Sequence, residues 1–438
     1  MMKNIITAVL ILSMFSFFSC NKDENDEYGP KDPICDDSRT PIVFIHGLLA
    51  SGDTYANQFM RFSSNKYCEN LMFAFDWNTL NQNADHETKL DLFIDEILDK
   101  TGADFVHLVG HSSGGNLSYS YLSDTQRALK VEKYVHIGSG ERPGPAGANE
   151  EVPTMNIWSP DDKIVSSSNI NGAENVVIPG KDHYEIATSF ETFEAMFTFF
   201  NPDKTLETTG ITPATKAAVS GKVVTLGENN PVNGATVSIY ALNSNTGERT
   251  TEEPLFVINS QSDGKWGPVD LQPGIQHEFK VNTNIAGQRN FHYFRQGFER
   301  NNSLVYLRAL PESGSILDLV LNDLPEDDNQ SLLIVFLANQ GLVYGRDNLK
   351  IDGYELATEE FADPDENVIA LFLYDGNNNA QTDLTSQGLF GNFPFLESID
   401  MYFQTQQKQF IECEFNNEIL RVPNLKSESE GVVIVVFE

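Results

Sequence analysis

The chain has 438 residues and sets 29 lysines and arginines against 63 aspartates and glutamates, a formal net charge of −34. That length predicts two or three domains. So acidic a surface repels nucleic acid and anionic lipid, which excludes a nucleic-acid-binding role, and the four cysteines include no C-x-x-C pair that would hold a structural metal.

Residues 1–19 carry Lys3, an apolar run from Ile5 to Phe18, and a small Ser19 just before Cys20. The run is too short to span a bilayer and reads as an export signal. Phe17-Phe18-Ser19-Cys20 resembles the lipobox of bacterial lipoproteins, with Phe17 where Leu is usual. That resemblance implies acylation of Cys20, which becomes the mature N-terminus. The acidic stretch Asn21 to Glu27 resembles the tether that sends some Gram-negative lipoproteins to the outer face of the outer membrane. The expected product is therefore an outer-membrane or cell-surface lipoprotein held by an N-terminal lipid anchor, with residues 20–39 as acylated Cys and tether. The alternative is ordinary signal cleavage and free secretion. Loss of residues 1–19 removes one lysine, leaving 28 basic against 63 acidic residues and a net charge of −35. Cys35, Cys68 and Cys413 then remain in an oxidising compartment, where a disulfide between Cys35 and Cys68, both in or next to the first domain, is open to formation.

Residues 40–202 alternate short apolar runs with helical patterns, the signature of a parallel sheet with crossover helices. Strands are expected at Ile42–His46, Leu71–Phe75, Phe105–Val109, Lys133–Ile137, Met155–Trp158 and Asn175–Ile178. Leu90, Phe93, Ile94, Ile97 and Leu98 fall at i, i+3, i+4, i+7 and i+8 and predict one amphipathic helix. A second is expected over Glu185–Phe200, with Phe190, Phe193, Phe197 and Phe200 as a core stripe, before Asn201-Pro202 stops it.

Within this pattern Val109-Gly110-His111-Ser112-Ser113-Gly114-Gly115 follows a β-prone strand and opens a helix. At such a strand-to-helix corner a serine sits in strained backbone with its Oγ exposed. Gly110 and Gly114, two residues either side, keep the two elements from colliding. Ser112 is the candidate nucleophile.

A strand ending in His-Gly, as Pro41 to Leu49 does, is similar to the first conserved block of lipases. Together with the elbow it makes residues 40–202 resemble a small α/β-hydrolase of the lipase/esterase family. The resemblance implies an oxyanion hole formed by the backbone N–H groups of Leu48 and Ser113. His46 reads as a hydrogen-bonding support rather than a proton carrier.

The nucleophile needs a base and the base a carboxylate. Of the eight histidines, His107, His111 and His136 fall on strands or at the elbow, His277 and His292 lie in another domain, and His86 precedes Ser112. His183, in the polar loop Gly180-Lys181-Asp182-His183-Tyr184, stands where the order Ser, acid, His places the base. Ser159-Pro160-Asp161-Asp162-Lys163-Ile164-Val165 resembles the family's S-x-x-D-x-I-V block, which implies Asp162 as the acid. Asp161 stays open as the alternative. Only residues 138–153 separate the fourth and fifth strands, too few for a helical lid, so Tyr55, Phe59, Met60, Phe62, Trp77 and Leu80 are the candidates to line an acyl pocket or else to be core.

Residues 203–216 read as a linker. From Ala217 onward no helical pattern appears, but alternating segments separated by Asn233-Gly234, Asp263-Gly264 and Asp375-Gly376 predict a β-sandwich or barrel. Residues 217–288 resemble the carboxypeptidase-regulatory-like sandwich modules, and residues 289–438 either complete that unit or form another. Phe291-His292-Tyr293-Phe294 is expected in the β-core, with a lipid-facing surface as the alternative. Asp375, Asn377, Asn379 and Asp383 fall on an EF-hand-like register, but Ala380 and Ser386 occupy its glycine and glutamate positions, so a polar turn is expected.

As a whole the chain resembles two-domain lipases. The expected activity is that of a serine carboxylic-ester hydrolase, a lipase or broad esterase acting on lipid or other esters and needing no cofactor. The rival readings are an esterase of polyesters or polysaccharide acyl groups with a polymer-binding β-domain, and a non-catalytic surface adhesin.

Overall fold

The first strand, β1 (Ile42–Ile45), is apolar at every position because both of its faces are buried. In the computed structural model, which describes residues 35–81, 83–311, 324–388, 393–406 and 409–438, it lies inside a six-stranded sheet with β2 (Met72–Phe75), β3 (Val106–His111), β4 (Val131–Ile137), β5 (Thr154–Trp158) and β6 (Glu174–Val177). The order is β2-β1-β3-β4-β5-β6 and every pairing is parallel. All six strands fall where the apolar runs predict them. The residues expected to form an export signal, Cys20 and most of the expected tether lie outside the described residues, and no described helix is long and apolar enough to cross a membrane.

Helices α1 (Ala56–Ser64), α2 (His86–Thr101), α3 (Ser113–Leu122), α4 (Thr125–Ala128), α5 (Glu185–Thr188) and α6 (Phe190–Phe200) cover the sheet. Alternation along β1 divides the core between its faces. Ile42 and Phe44 pack with Phe59, Phe62, Phe193 and Phe197, while Val43 and Ile45 pack with Leu90, Ile94, Leu117 and Tyr121. The α2 stripe does what its spacing predicts: Leu90, Ile94 and Ile97 are buried, Asp85 caps the N-terminus through the Thr88 N–H, and Gly102 at φ 70° ends the helix. The single helix expected over residues 185–200 is instead two. Ser189 sits in extended backbone between them and accepts the Thr192 N–H on its hydroxyl, a cap that competes with helix continuation.

The described residues from 217 to 438 build three sheets. Lys265–Leu271, Ala217–Thr225 and Asn302–Ala309 form the first. The second has eight strands in the order Leu396–Asp400, Ala370–Tyr374, Leu333–Leu337, Val432–Phe437, Phe291–Arg295, His277–Asn282, Thr236–Ala241 and Phe256–Asn259. Tyr354–Glu355, Leu349–Ile351, Phe410–Phe415 and Glu418–Pro423 form the third. The eight-stranded sheet is the middle layer. Ile334, Phe372 and Ile434 face Val219, Trp266 and Val305 of the first sheet, while Val335, Leu371 and Val433 face Ile351, Ile411 and Val422 of the third. Burial on both faces is why Leu333–Leu337 and Val432–Phe437 read as unbroken apolar runs rather than alternating ones. Phe291–Arg295 is buried throughout and pairs with both His277–Asn282 and Val432–Phe437, so the sheet runs continuously across residue 288. In the loop after Tyr374, the Asp375 carboxylate accepts the Asn379 and Ala380 N–H groups, and the Asn377 and Asn379 amides donate to Asp383, the pattern of a polar turn.

A disulfide joins Cys35 to Cys68 across 33 residues and ties the segment before β1 to the end of the α1 loop. By loop-closure entropy such a link stabilises the fold by about 3–4 kcal/mol.

Candidate active site

Ser112 sits at φ 53°, ψ −122°, between the end of β3 and the start of α3. This is left-handed backbone that a non-glycine residue holds only at a cost of about 1–3 kcal/mol. The surroundings enforce it: the Ser112 N–H donates to the Ile137 carbonyl at 3.0 Å, and Ser139 Oγ donates to the Ser112 carbonyl at 2.7 Å. The flanking glycines are obligatory. A Cβ on Gly114 would lie 2.3 Å from the Ile45 carbonyl oxygen, and one on Gly110 would lie 2.7 Å from the Gly114 oxygen.

His183 stands in the loop before α5 and reaches both partners. Its Nε2 is 2.9 Å from Ser112 Oγ and its Nδ1 is 2.7 Å from Asp162 Oδ2. A carboxylate can only accept, so Nδ1 carries the proton and Nε2 presents its lone pair to the serine hydroxyl. Asp162 Oδ1 accepts the N–H groups of Ile164 and Val165 at 2.9 and 3.0 Å. Burial alone would raise the Asp162 pKa, but the His183 hydrogen bond and charge, with those two N–H groups, together hold it below the usual carboxylate range. The neighbouring Asp161 is turned elsewhere and accepts the Gly180 N–H at 2.6 Å. Of the two acids left open in the sequence, Asp162 is the one brought to His183.

The turn after β1 packs directly on the elbow. A Cβ on Gly47 would lie 3.0 Å from Ser112 Cβ and 3.2 Å from His111 Nδ1, so a larger residue there would press on the nucleophile and its neighbour. Ser113 is the first residue of α3, where N–H groups have no helical acceptor. Among the described residues neither its N–H nor that of Leu48 enters a main-chain hydrogen bond. Both are available to a ligand oxygen.

His46, as its support reading expects, is fully buried and faces structure rather than the serine. Its Nδ1 donates to the Gly47 carbonyl at 2.9 Å, and its Nε2 accepts the Trp77 N–H at 3.3 Å. His111 Nε2 donates to the His183 carbonyl at 2.8 Å, which fixes the base loop from behind. Tyr55, Phe59, Met60 and Phe62 are core residues. They are buried where α1 and the short turn before it pack on the sheet, and Leu80 packs against the β-core.

Burial lowers the pKa of several imidazoles: His107 and His111 to about 3, His136 and His277 to about 4. In the folded chain these groups remain neutral at a pH where the unfolded chain, near 6.5, already takes up protons. Below that value the unfolded state binds more protons, and each imidazole withdraws up to about 1.4 kcal/mol of stability per pH unit. The depressed Asp162 carboxylate adds to the loss at lower pH, as its own folded value is crossed. Thermal unfolding is therefore expected to be insensitive to these groups above pH 6.5 and to fall steeply between pH 6 and 4. A midpoint unchanged from pH 7 to 4.5 would contradict this.

Residues 40–164 match the family model of the alpha/beta hydrolase fold, and residues 215–311 match that of the lipase C-terminal domain. The chain thus carries an α/β-hydrolase domain followed by a β-rich region that includes a lipase-type C-terminal domain. A further family model, of a C-terminal domain, matches residues 334–438. Among solved structures the hydrolase is similar to a CIB-like hydrolase from Thermoplasma acidophilum, at 17% identity over 39% of this chain and 89% of that one with a TM-score of 0.30. It is also similar to the lipase BlEst2 of Bacillus licheniformis, at 16% identity over 39% of this chain and 96% of that one with a TM-score of 0.30. Naproxen esterase from Bacillus subtilis matches at 16% identity over 38% of this chain and 86% of that one, again with a TM-score of 0.30.

The β domain of this hydrolase contributes residues to the site that the sequence does not single out. Asn367 Oδ1 accepts the His183 N–H at 3.1 Å, and the Phe395 ring lies parallel to the His183 ring with centroids 6.0 Å apart. Asp182, next to the base, accepts the Gly341 N–H at 3.1 Å and pairs with Arg346 at 2.8 Å. On the other side of the site Asn229 enters the turn after β1, where its side chain donates to the Ala50 carbonyl at 2.8 Å and accepts from Ser51 Oγ at 2.7 Å. Both the base loop and the turn carrying Leu48 are thus held from the β domain. Asn229 and Asn367 have φ values of 58° and 51°. Left-handed asparagine in a loop is the one local sign they carry, and it is a sign visible only in three dimensions.

Proposed function

We propose that this protein hydrolyses carboxylic esters through an acyl-enzyme formed on Ser112, with lipid or other acyl esters as substrates. The observation that carries the reading is the continuous relay from Ser112 Oγ to His183 Nε2 at 2.9 Å and from His183 Nδ1 to Asp162 at 2.7 Å. In this reading His183 takes the hydroxyl proton as Ser112 Oγ attacks the ester carbonyl. The N–H groups of Leu48 and Ser113 hold the developing oxyanion, each donor contributing about 3–4 kcal/mol to the transition state. The imidazolium, stabilised by Asp162, then gives its proton to the departing alkoxide, which leaves as alcohol. Water, deprotonated by the same imidazole, attacks the acyl-enzyme, and the carboxylic acid departs with Ser112 restored. Every step uses groups of the chain and water alone.

The test is hydrolysis of p-nitrophenyl esters from acetyl to palmitoyl by the purified protein. Saturable release of nitrophenol with a chain-length optimum supports the reading and distinguishes short-chain esterase from lipase. A protein inert on every ester of the series, at a pH where it is folded, would refute it.

A further inference from the structure

The loop that follows β2 runs against the turn that carries Leu48, and three of its residues hold that stretch of chain. Asp76 Oδ1 accepts the Gly52 N–H at 2.8 Å, the Trp77 indole donates to the His46 carbonyl at 3.1 Å, and Thr79 Oγ1 accepts the Leu49 N–H at 3.0 Å. The first two bonds fix the chain on either side of the turn. The third falls inside the turn itself.

The turn spans Gly47 to Ala50 and is closed by the Ala50 N–H on the Gly47 carbonyl at 3.4 Å. Its third residue, Leu49, has a φ of 59°. Turns with a positive φ at that place ordinarily carry glycine or asparagine there, because a larger side chain is strained in left-handed backbone. A leucine needs an outside restraint to stay in it, and Thr79, only 4% exposed, places a buried acceptor on its N–H. Leu48 therefore stands between two fixed peptide units. On one side the Gly47 carbonyl is held by His46 Nδ1–H at 2.9 Å and by the Ala50 N–H. The Gly47–Leu48 peptide is planar and trans, so the Leu48 N–H points away from those donors. On the other side the Leu48–Leu49 peptide is held by Thr79. Release of this second unit lets Leu49 relax to negative φ by rotation of the peptide between the two leucines, and Leu48 is no longer confined to one orientation.

We propose that Thr79 is a positioning residue for the oxyanion hole, its hydroxyl latching a strained turn so that the Leu48 N–H is aimed before an ester arrives. The inference rests on the reading of Ser112 as nucleophile and of the Leu48 N–H as an oxyanion donor. Thr79 acts through Leu49 rather than on the reacting atoms. A donor fixed in advance needs no reorganisation when charge develops on the carbonyl oxygen, and its benefit belongs to the transition state rather than to the bound ester. Loss of the latch therefore falls on kcat and leaves KM in place.

The experiment measures kcat and KM on the p-nitrophenyl ester that wild type hydrolyses fastest, with thermal unfolding alongside, in wild type, Thr79→Val and Thr79→Ser. Valine keeps the branched shape of threonine and removes the acceptor, whereas serine keeps the hydroxyl. Thr79→Val is expected to lower kcat by about 10- to 100-fold, less than the loss for deleting an oxyanion donor outright, with KM within about twofold. Thr79→Ser is expected to stay within about threefold of wild type. Inhibition by a straight-chain alkylboronic acid, whose tetrahedral adduct on Ser112 places an oxygen in the hole, is expected to weaken in Thr79→Val by the same factor as kcat/KM. A residue that merely supported the fold would lower the unfolding midpoint without separating kcat from KM. Should Thr79→Val fail to fold, Thr79→Ala is read by the same measurements. A valine variant whose kcat stays within about threefold of wild type overturns the proposal, as does a loss carried by KM or one that Thr79→Ser shares in full. A wild type inert on every ester overturns the nucleophile reading and this proposal together, whereas an active wild type with an unaffected valine variant overturns this proposal alone.

Discussion

Ser112→Ala is expected to lower kcat on any accepted ester by about 10⁶-fold, the loss seen when a triad nucleophile is removed from a site whose other parts stay in place. The change deletes one oxygen. Alanine meets the same φ of 53° as serine, so the strain at the elbow is unchanged. The hydrogen bonds that lock the corner run through the Ser112 backbone, to Ile137 and from Ser139, and they survive. Thermal unfolding should therefore stay within a few degrees of wild type while activity disappears. The two measurements belong together: an inactive variant that has also lost its fold would say nothing about the nucleophile, whereas a folded variant that keeps more than about a hundredth of the wild-type kcat would remove Ser112 from the mechanism.

Asp162→Asn is expected to cost about 10⁴-fold in kcat at neutral pH with little change in KM. The reason lies in how the carboxylate divides its acceptors. Oδ1 takes the N–H groups of Ile164 and Val165, and Oδ2 takes His183 Nδ1–H. An asparagine has one acceptor oxygen, and two main-chain donors claim it against one imidazole. The amide nitrogen is then turned toward His183 and donates to Nδ1, which moves the ring proton to Nε2. In that tautomer Nε2 faces Ser112 Oγ as a donor and cannot take its proton. Asp161→Asn is the matched comparison. Its carboxylate accepts the Gly180 N–H at the surface of the loop, and its kcat should remain within about threefold of wild type, the ordinary range for a surface substitution. Equal losses for the two variants would mean that the carboxylate nearest the imidazole is not the one that orients it.

The catalytic half is legible in the sequence because each of its signals is local. Strands of a parallel sheet are covered on both faces, so β1, β3 and β4 stand out as apolar runs, and the elbow compresses a strand end, two obligatory glycines and a helix start into seven residues. The break at Ser189 is hidden because the phenylalanine stripe runs through it at helical spacing, and only the hydroxyl bond to the Thr192 N–H marks the cap. In the β domain the alternating segments that stand out fall in the first sheet and the middle layer. Phe410–Phe415 of the third does not, although Ile411, Cys413 and Phe415 are buried and alternate with Glu412 and Glu414: glutamate is depleted in strands, so composition argues against the period of two that is there. Lys265–Leu271 contains Gly267 and Pro268 at a register shift, residues that argue against a strand in sequence and that a bulge accommodates.

The contribution of the β domain to the site is not legible at all. Asn367 is 184 positions from His183 and Asn229 is 179 from Ala50. Nothing in a single sequence distinguishes these asparagines from others in polar turns. Both hold a loop of the hydrolase domain by satisfying its main chain, and that role exists only once the two domains have met. The same interface buries Asp76 against Lys222 and Tyr306, with the tyrosine hydroxyl 2.7 Å from the carboxylate; burial alone would raise the Asp76 pKa, but Lys222, His46 and the Tyr306 hydrogen bond together lower it. The two halves are joined by paired charges and hydrogen bonds at the catalytic edge, so the base loop keeps its position only while both are folded.

The most direct measurement is covalent trapping of the nucleophile. The purified protein is incubated with a p-nitrophenyl alkylphosphonate, which mimics the tetrahedral intermediate, and the product is digested and mapped by mass spectrometry. The expected result is one phosphonyl group per chain, on the peptide containing Ser112, formed in step with the release of nitrophenol and absent from Ser112→Ala and His183→Ala. An active wild-type protein that stays unmodified, or one inactivated through a different residue, would contradict the assignment of Ser112 as the nucleophile.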